Sequence, residues 1–235
     1  MPMLEIRGLD VFYDQFQALS ALDIDVEKGQ IVSFLGANSA GKTTLLNTVI
    51  GILKPSSGTI TFDGKTIGGL ASHHIVSMGM VLVPQGRKIF SNLTVRENLV
   101  VGSYTPRARK TKNELLEKIL RIFPPLKARI RQRGTDLSGG EQQMLAIGRA
   151  LMSRPRFIMF DEISLGLSPL VVKELYKTVN NMNEEGMTLV LVEQDVKRSL
   201  KVSDFAYILL EGKITLKGKP KDFVEEEISS AYFGI

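Results

Sequence analysis

Gly36-Ala37-Asn38-Ser39-Ala40-Gly41-Lys42-Thr43 decides the fold of this 235-residue chain. It fits G-x-x-x-x-G-K-[ST], the phosphate-binding loop. The apolar run Ile31-Val32-Ser33-Phe34-Leu35 precedes it, and Thr44-Leu45-Leu46-Asn47-Thr48-Val49-Ile50 follows as a helix. Strand, loop and helix in that order predict a nucleoside-triphosphate site. Glycines let the backbone bend until several N–H groups point at one anion. The helix adds the positive end of its dipole. Residues Gly36, Ala37, Asn38, Ser39, Ala40 and Gly41 form the cradle, and Thr44 opens the helix behind it. Lys42 reaches the β- and γ-phosphates, and the Thr43 hydroxyl ligates Mg²⁺. Ser39 stands where many such loops carry another glycine. If that position needs a positive φ, serine there costs about 1–3 kcal/mol. The expectation is altered affinity rather than lost binding.

A partner for the loop comes later. Arg156-Phe157-Ile158-Met159-Phe160 is a continuous apolar run closed by Asp161-Glu162. A strand apolar on both faces belongs in the middle of a parallel sheet. Acids at its carboxyl end fall where open α/β sheets bind ligands. Asp161 would hold the Mg²⁺ shell through water, since Mg²⁺ keeps several waters. Glu162 would orient and polarise the water that attacks the γ-phosphoryl group. An ordinary acidic strand end is the competing reading, and only the pairing with residues 36–43 outweighs it.

Leu137-Ser138-Gly139-Gly140-Glu141 precedes the helical spacing Met144, Ile147, Gly148, Leu151. Ser138 and Glu141 make a capping box. Two glycines in a first turn cost helix stability. They make sense where backbone N–H groups must approach a phosphate closely. At this point the chain resembles the ATP-binding cassette (ABC) ATPases, whose signature motif Leu137–Glu141 matches. The resemblance covers essentially the whole chain. It implies an α/β P-loop NTPase with a mixed central sheet, an antiparallel β subdomain and an inserted helical subdomain.

The resemblance also assigns further positions. Tyr13 lies before the first hairpin and matches the aromatic that stacks on adenine. Gln85 follows Met80-Val81-Leu82-Val83-Pro84, the place of the Mg²⁺-linked glutamine hinge. Ser164-Leu165-Gly166-Leu167 matches the segment that crosses a dimer contact. Gln194 follows Leu189–Glu193, where most relatives have histidine. Glutamine there can bond a γ-phosphate oxygen but cannot become cationic. Gly166 replaces a common aspartate, Ile163 a frequent proline, and Glu141 the commoner glutamine. Lys42, Thr43, Asp161 and Glu162 all remain, so a working ATPase is expected, with Glu162, Gln194 and Gln85 around the reacting water. Val83–Phe90, Ser138–Met152, Ser164–Pro169 and Leu191–Gln194 look like the smaller ATPase subunit of branched-chain amino-acid importers. Members of that subgroup often carry glutamate where this chain has Gln85.

Composition adds bounds. No apolar run is long enough to span a bilayer, and the first residues lack a signal-peptide pattern. Cysteine is absent, which excludes disulfides and thiol nucleophiles. The net charge of +5 favours an anionic nucleotide or a membrane surface only weakly. The basic clusters at 107–112 and 127–133 read as solvated helical faces. His73 and His74 read as surface residues rather than metal ligands.

One cassette is expected over 1–235. Its nucleotide-binding core, with the antiparallel β subdomain, takes 1–85 and 155–235. The helical insertion takes 86–154, broken at Pro124-Pro125 and hinged at Gln85. No room is left for a separate regulatory domain. The resemblance implies two cassettes head to tail, each ATP lying between one loop and the opposite Ser138, Gly139 and Gly140. It also implies permease subunits coupled near Gln85–Phe90, a solute-binding protein, and a cytoplasmic position on the inner face of the membrane. The competing readings are a soluble ABC protein acting on nucleic acid or ribosomes, a transport ATPase for another solute, and a nucleotide-gated clamp with little hydrolysis. Nucleic acid is not expected as a partner, because the chain lacks tandem cassettes, coiled-coil insertions and metal hooks.

Overall fold

The computed structural model describes residues 1–234. Leu22, Ile24 and Val26 alternate with acids, and all three side chains are buried. Period-two alternation makes a half-buried strand. They lie on β2 (Phe16–Val26), which pairs antiparallel with β1 (Leu4–Tyr13). The chain then enters β3 (Ile31–Leu35) and α1 (Lys42–Val49), and returns through the hairpin β4 (Ser57–Phe62) and β5 (Lys65–Thr66). Asp63 and Gly64 at its turn both have positive φ, 49° and 74°. That is the type I′ geometry that an Asp-Gly pair favours. The four-stranded antiparallel sheet has the order β2-β1-β4-β5.

Next come α2 (Ser72–Ser77) and β6 (Met80–Val83). The helices α3 (Val95–Val101), α4 (Pro106–Lys110), α5 (Lys112–Ile122), α6 (Pro124–Ala128) and α7 (Gly139–Leu151) fill the interval to β7 (Phe157–Asp161). The chain finishes with α8 (Pro169–Glu184), β8 (Thr188–Glu193), α9 (Val196–Val202), β9 (Phe205–Leu210), β10 (Lys213–Gly218) and α10 (Glu225–Phe233). The second sheet is six-stranded, in the order β10-β9-β3-β8-β7-β6. Only β10 runs antiparallel to its neighbour; the other pairings are parallel. The mixed sheet is therefore as expected.

The continuous apolar strands now have their reason. On β7, Phe157 and Met159 enter a core shared with the antiparallel sheet and α1, while Ile158 and Phe160 enter a core shared with α3 and α5–α8. A strand covered on both faces cannot alternate. Each fully buried phenylalanine contributes about 1.5–3 kcal/mol.

One local reading is corrected, and two others gain detail. Tyr13 closes β1 and faces Phe16 across the hairpin tip, so it belongs to that hairpin rather than preceding it. α7 is buried well beyond one stripe, through Gln143, Leu145, Ala146 and Ala150 as well as Ile147, Gly148 and Leu151. The reason is that it packs on β6, α3, α5 and α6 together. His73 and His74, both exposed, bring their rings to 4.0 Å although they are adjacent in sequence.

Candidate nucleotide site

The loop 36–43 joins the carboxyl end of β3 to α1, which begins at Lys42, so Lys42 and Thr43 sit in the first helical turn. Gly36 has φ 154°, and a Cβ there would lie 2.3 Å from the Leu209 carbonyl oxygen. Only glycine lets the loop lie this close to β9. Gly41 is equally tight: a Cβ would meet Leu19 at 2.6 Å. Ser39 does adopt the left-handed region, at φ 68°.

Lys42 is buried, and its ammonium donates to the Gly36 and Ala37 carbonyls at 2.8 Å each. Burial pulls its pKa down, and the charges of Glu162 and Asp161 oppose that. A desolvated cation inside a loop rich in backbone N–H groups is a strong anion receptor. Asp161 ends β7, and β8 lies between that strand and β3. Its carboxylate accepts from the Thr43 hydroxyl at 3.4 Å. Burial pushes the Asp161 carboxyl up, and the Thr43 bond partly offsets this. The Thr43 hydroxyl and the Asp161 carboxylate are hard oxygen donors of the kind that could hold Mg²⁺, and Gln85 lines the same cleft.

Glu162 sits at φ 50°, a rare conformation for glutamate. Two amides converge on its carboxylate. Gln85 Nε2 donates at 2.7 Å and Gln194 Nε2 at 2.8 Å. Gln194 also donates to Asn38 at 3.0 Å, tying the end of β8 to the phosphate loop. The cleft among these groups encloses about 620 Å³ and reaches from Tyr13 and Phe16 past Lys42 to Glu162 and Gln194. The Tyr13 hydroxyl lies 3.4 Å from the Thr44 hydroxyl.

Phe16, Ala18 and Leu165 line this cleft as well; sequence reasoning missed the first two and read Leu165 only as part of a dimer contact. The cross-strand pairing of Tyr13 with Phe16 was the available signal for the first. Ser138, Gly139 and Gly140 lie elsewhere, at the start of α7, and do not line this cleft. The capping box there is formed. Ser138 accepts from the Glu141 N–H, and Glu141 accepts from the Ser138 N–H and hydroxyl. Arg129 pairs with Glu141 at 2.6 Å, neutralising the acid beside the glycines. Bonds to Ser138 and this pair hold the Glu141 carboxyl below its ordinary value against the opposing effect of burial. Gly166 has φ 68°, which glycine adopts without strain. Ile163 is buried, which holds the turn after Glu162 against the core.

Residues 19–164 match the family model described as ABC transporter. The chain belongs to this family. The cassette is the ATP-binding, ATP-hydrolysing subunit that energises an ABC transporter. It is 42% identical over 214 residues to the high-affinity branched-chain amino acid transport ATP-binding protein BraG of Pseudomonas aeruginosa, covering 91% of each chain. It is 34% identical to the probable branched-chain amino acid transport ATP-binding protein LivF of Archaeoglobus fulgidus, over 96% of this chain and 95% of that one. A solved nucleotide-free ATP-binding cassette from an ABC transporter superposes with a TM-score of 0.84 at 27% identity, over 98% of this cassette and 95% of the other. None of the helices among the described residues is long and apolar enough to cross a membrane.

Proposed function

We propose that this cassette powers import of branched-chain amino acids, working as one of two cassettes beneath membrane permeases on the cytoplasmic face. The solute rests on likeness to the two amino-acid transport relatives, since no residue of the cleft is placed to meet an amino acid. A solute-binding protein completes the assembly in this reading.

The observation that carries the chemistry is the Glu162 carboxylate held between two amides, across the cleft from Lys42. Tyr13 stacks on the adenine, and the N–H groups of residues 36–43 with Lys42 hold the phosphates. Thr43, Asp161 and Gln85 hold Mg²⁺, which when bound neutralises phosphate charge. Glu162 accepts hydrogen bonds from Gln85 and Gln194, so its free lone pairs stay aimed into the cleft. There it orients the attacking water and draws on its proton. With nucleotide bound, Gln194 would exchange its bond to Asn38 for one to the γ-phosphate, without carrying charge.

Ser138, Gly139 and Gly140 lie outside this cleft and serve the nucleotide of the opposite cassette. ATP then joins two protein faces, and loss of the γ-phosphate weakens the joint. Residues 86–154 turn as a unit on Gln85. Phe90 is half exposed with the Arg149 guanidinium 5.0 Å from its ring, and it offers an apolar contact to the permease. Ile89 instead packs into the helical core.

The test is phosphate release by the purified chain with Mg²⁺ and ATP. Glu162→Gln should bind ATP normally and release phosphate at least about a hundredfold more slowly. Release at the wild-type rate would remove Glu162 from the chemistry.

A further inference from the structure

Glu193 ends β8 at 2% exposure, an acid closing the apolar run Leu189-Val190-Leu191-Val192. Taking a carboxylate out of water is costly, and an apolar residue of similar volume often serves stability better. Among the described residues no lysine or arginine pairs with it. Arg198, near Tyr176, pairs instead with Asp195 and lies over the Tyr176 ring.

Both of its oxygens accept from one residue. The Ser164 N–H donates to Oε1 at 3.3 Å and the Ser164 hydroxyl to Oε2 at 2.8 Å. Two further bonds flank this pair. The Glu162 N–H donates to the Val192 carbonyl at 2.9 Å, and Gln194 donates to the Glu162 carboxylate. Residues 192–194 are thus fastened rung by rung to residues 162–164. Glu162 needs such fastening, because a non-glycine residue at φ 50° persists only where its surroundings over-determine it. Glu193 also lies in register with Leu35, the last residue before the phosphate loop. The ladder therefore fixes the Glu162 segment against the strand that carries that loop.

We propose that Glu193 is a positioning residue for ATP hydrolysis. By gripping Ser164 it sets the backbone on which Glu162 is mounted and the exit direction of Leu165-Gly166-Leu167. The proposal rests on the ATPase reading of the cleft. A carboxylate suits the task because it offers two acceptors and no donor, matching the two donors of Ser164.

The experiment compares wild type with Glu193→Leu, Glu193→Gln, Ser164→Ala and the Leu/Ala double variant, reading kcat, KM for ATP and melting temperature. Glu193→Leu should lose about tenfold in kcat with KM within about twofold, while melting no lower than wild type. Glu193→Gln keeps one acceptor and should fall between. The double variant should be no slower than the slower single variant, because both changes break one linkage. Wild-type kcat in Glu193→Leu, additive losses in the double variant, or a kcat loss accompanied by a matching fall in melting temperature would each overturn the proposal. Hydrolysis by the wild type in the same assay separates the two readings: if it is present, a wild-type-like Glu193→Leu overturns only the positioning role, and if it is absent, both fall.

Discussion

Glu193 shows how one side chain carries a stability cost for the sake of geometry. Burial is the main force pushing its carboxyl above the ordinary glutamate range; the Ser164 bonds and the neighbouring Tyr176 hydroxyl oppose it, and the Glu162 charge adds a little. The folded state therefore holds a proton here more tightly than the unfolded chain does. The stabilisation is complete below the unfolded value of about 4.3 and is lost as pH rises through the raised value. Leucine removes that loss. The stability advantage of Glu193→Leu over wild type should widen between about pH 4 and about pH 7, as read by urea denaturation at both. A constant difference would show that the group does not change its proton affinity on folding. Ser39 pays a related cost, its left-handed backbone carrying about 1–3 kcal/mol of strain that a glycine would avoid. The possibility was legible in the sequence as a missing glycine, but the sign of φ was not.

Among the elements, α3 and α7 pack closely where Gly102 caps α3. Gly102 has an ordinary helical φ, so its role is space rather than freedom. A Cβ there would lie 2.0 Å from the Arg149 carbonyl oxygen and 2.9 Å from the Met152 Cβ. Gly102→Ala must push α3 off α7 and should cost at least about 1–3 kcal/mol, measured as a lowered melting temperature. If it melts like wild type, the two helices are not held this tightly. Gly148, on α7 itself, makes the same kind of contact with Leu99 and Ile119. The period of α7 announced a helix, yet Gln143 and Ala146 became buried because neighbours cover more than one side of it. Pro124-Pro125 opens α6 directly after α5, since proline is tolerated in a first helical turn but cannot continue the preceding helix.

For the whole molecule, the decisive arrangement is that one chain carries two half-sites which do not meet. Lys42 and Glu162 line one cleft, while Ser138 stands at the start of α7 outside it. In the proposed arrangement, closure then needs a second cassette. Glu162→Gln with ATP should elute as a dimer in size-exclusion chromatography and return to monomer when nucleotide is removed. Lys42→Ala, with its loop cation gone, should stay monomeric under both conditions. A Glu162→Gln protein that remains monomeric at saturating ATP would sink the two-cassette reading. The dispersed surface charge fits this division, because the basic clusters at 107–112 and 127–133 lie mostly exposed while Arg129 is spent on Glu141.

Residue type and spacing alone specified the phosphate loop, the acidic strand end and the capping box. Those features depend on contacts within a few residues: backbone bending at glycine, a side chain three positions from its cap, an apolar run long enough for one strand. Folding in three dimensions was needed to bring Gln85, Gln194 and Asn38 around Glu162, to set Phe16 beside Tyr13, and to bind Ser164 to Glu193. Apart from Tyr13 and Phe16, which a single hairpin joins, these residues are separated by long stretches of chain, and the parallel order β3-β8-β7-β6 makes them neighbours. Spacing along a sequence carries no record of which strands lie side by side, so the distances that matter for hydrolysis arise only when the sheet is assembled.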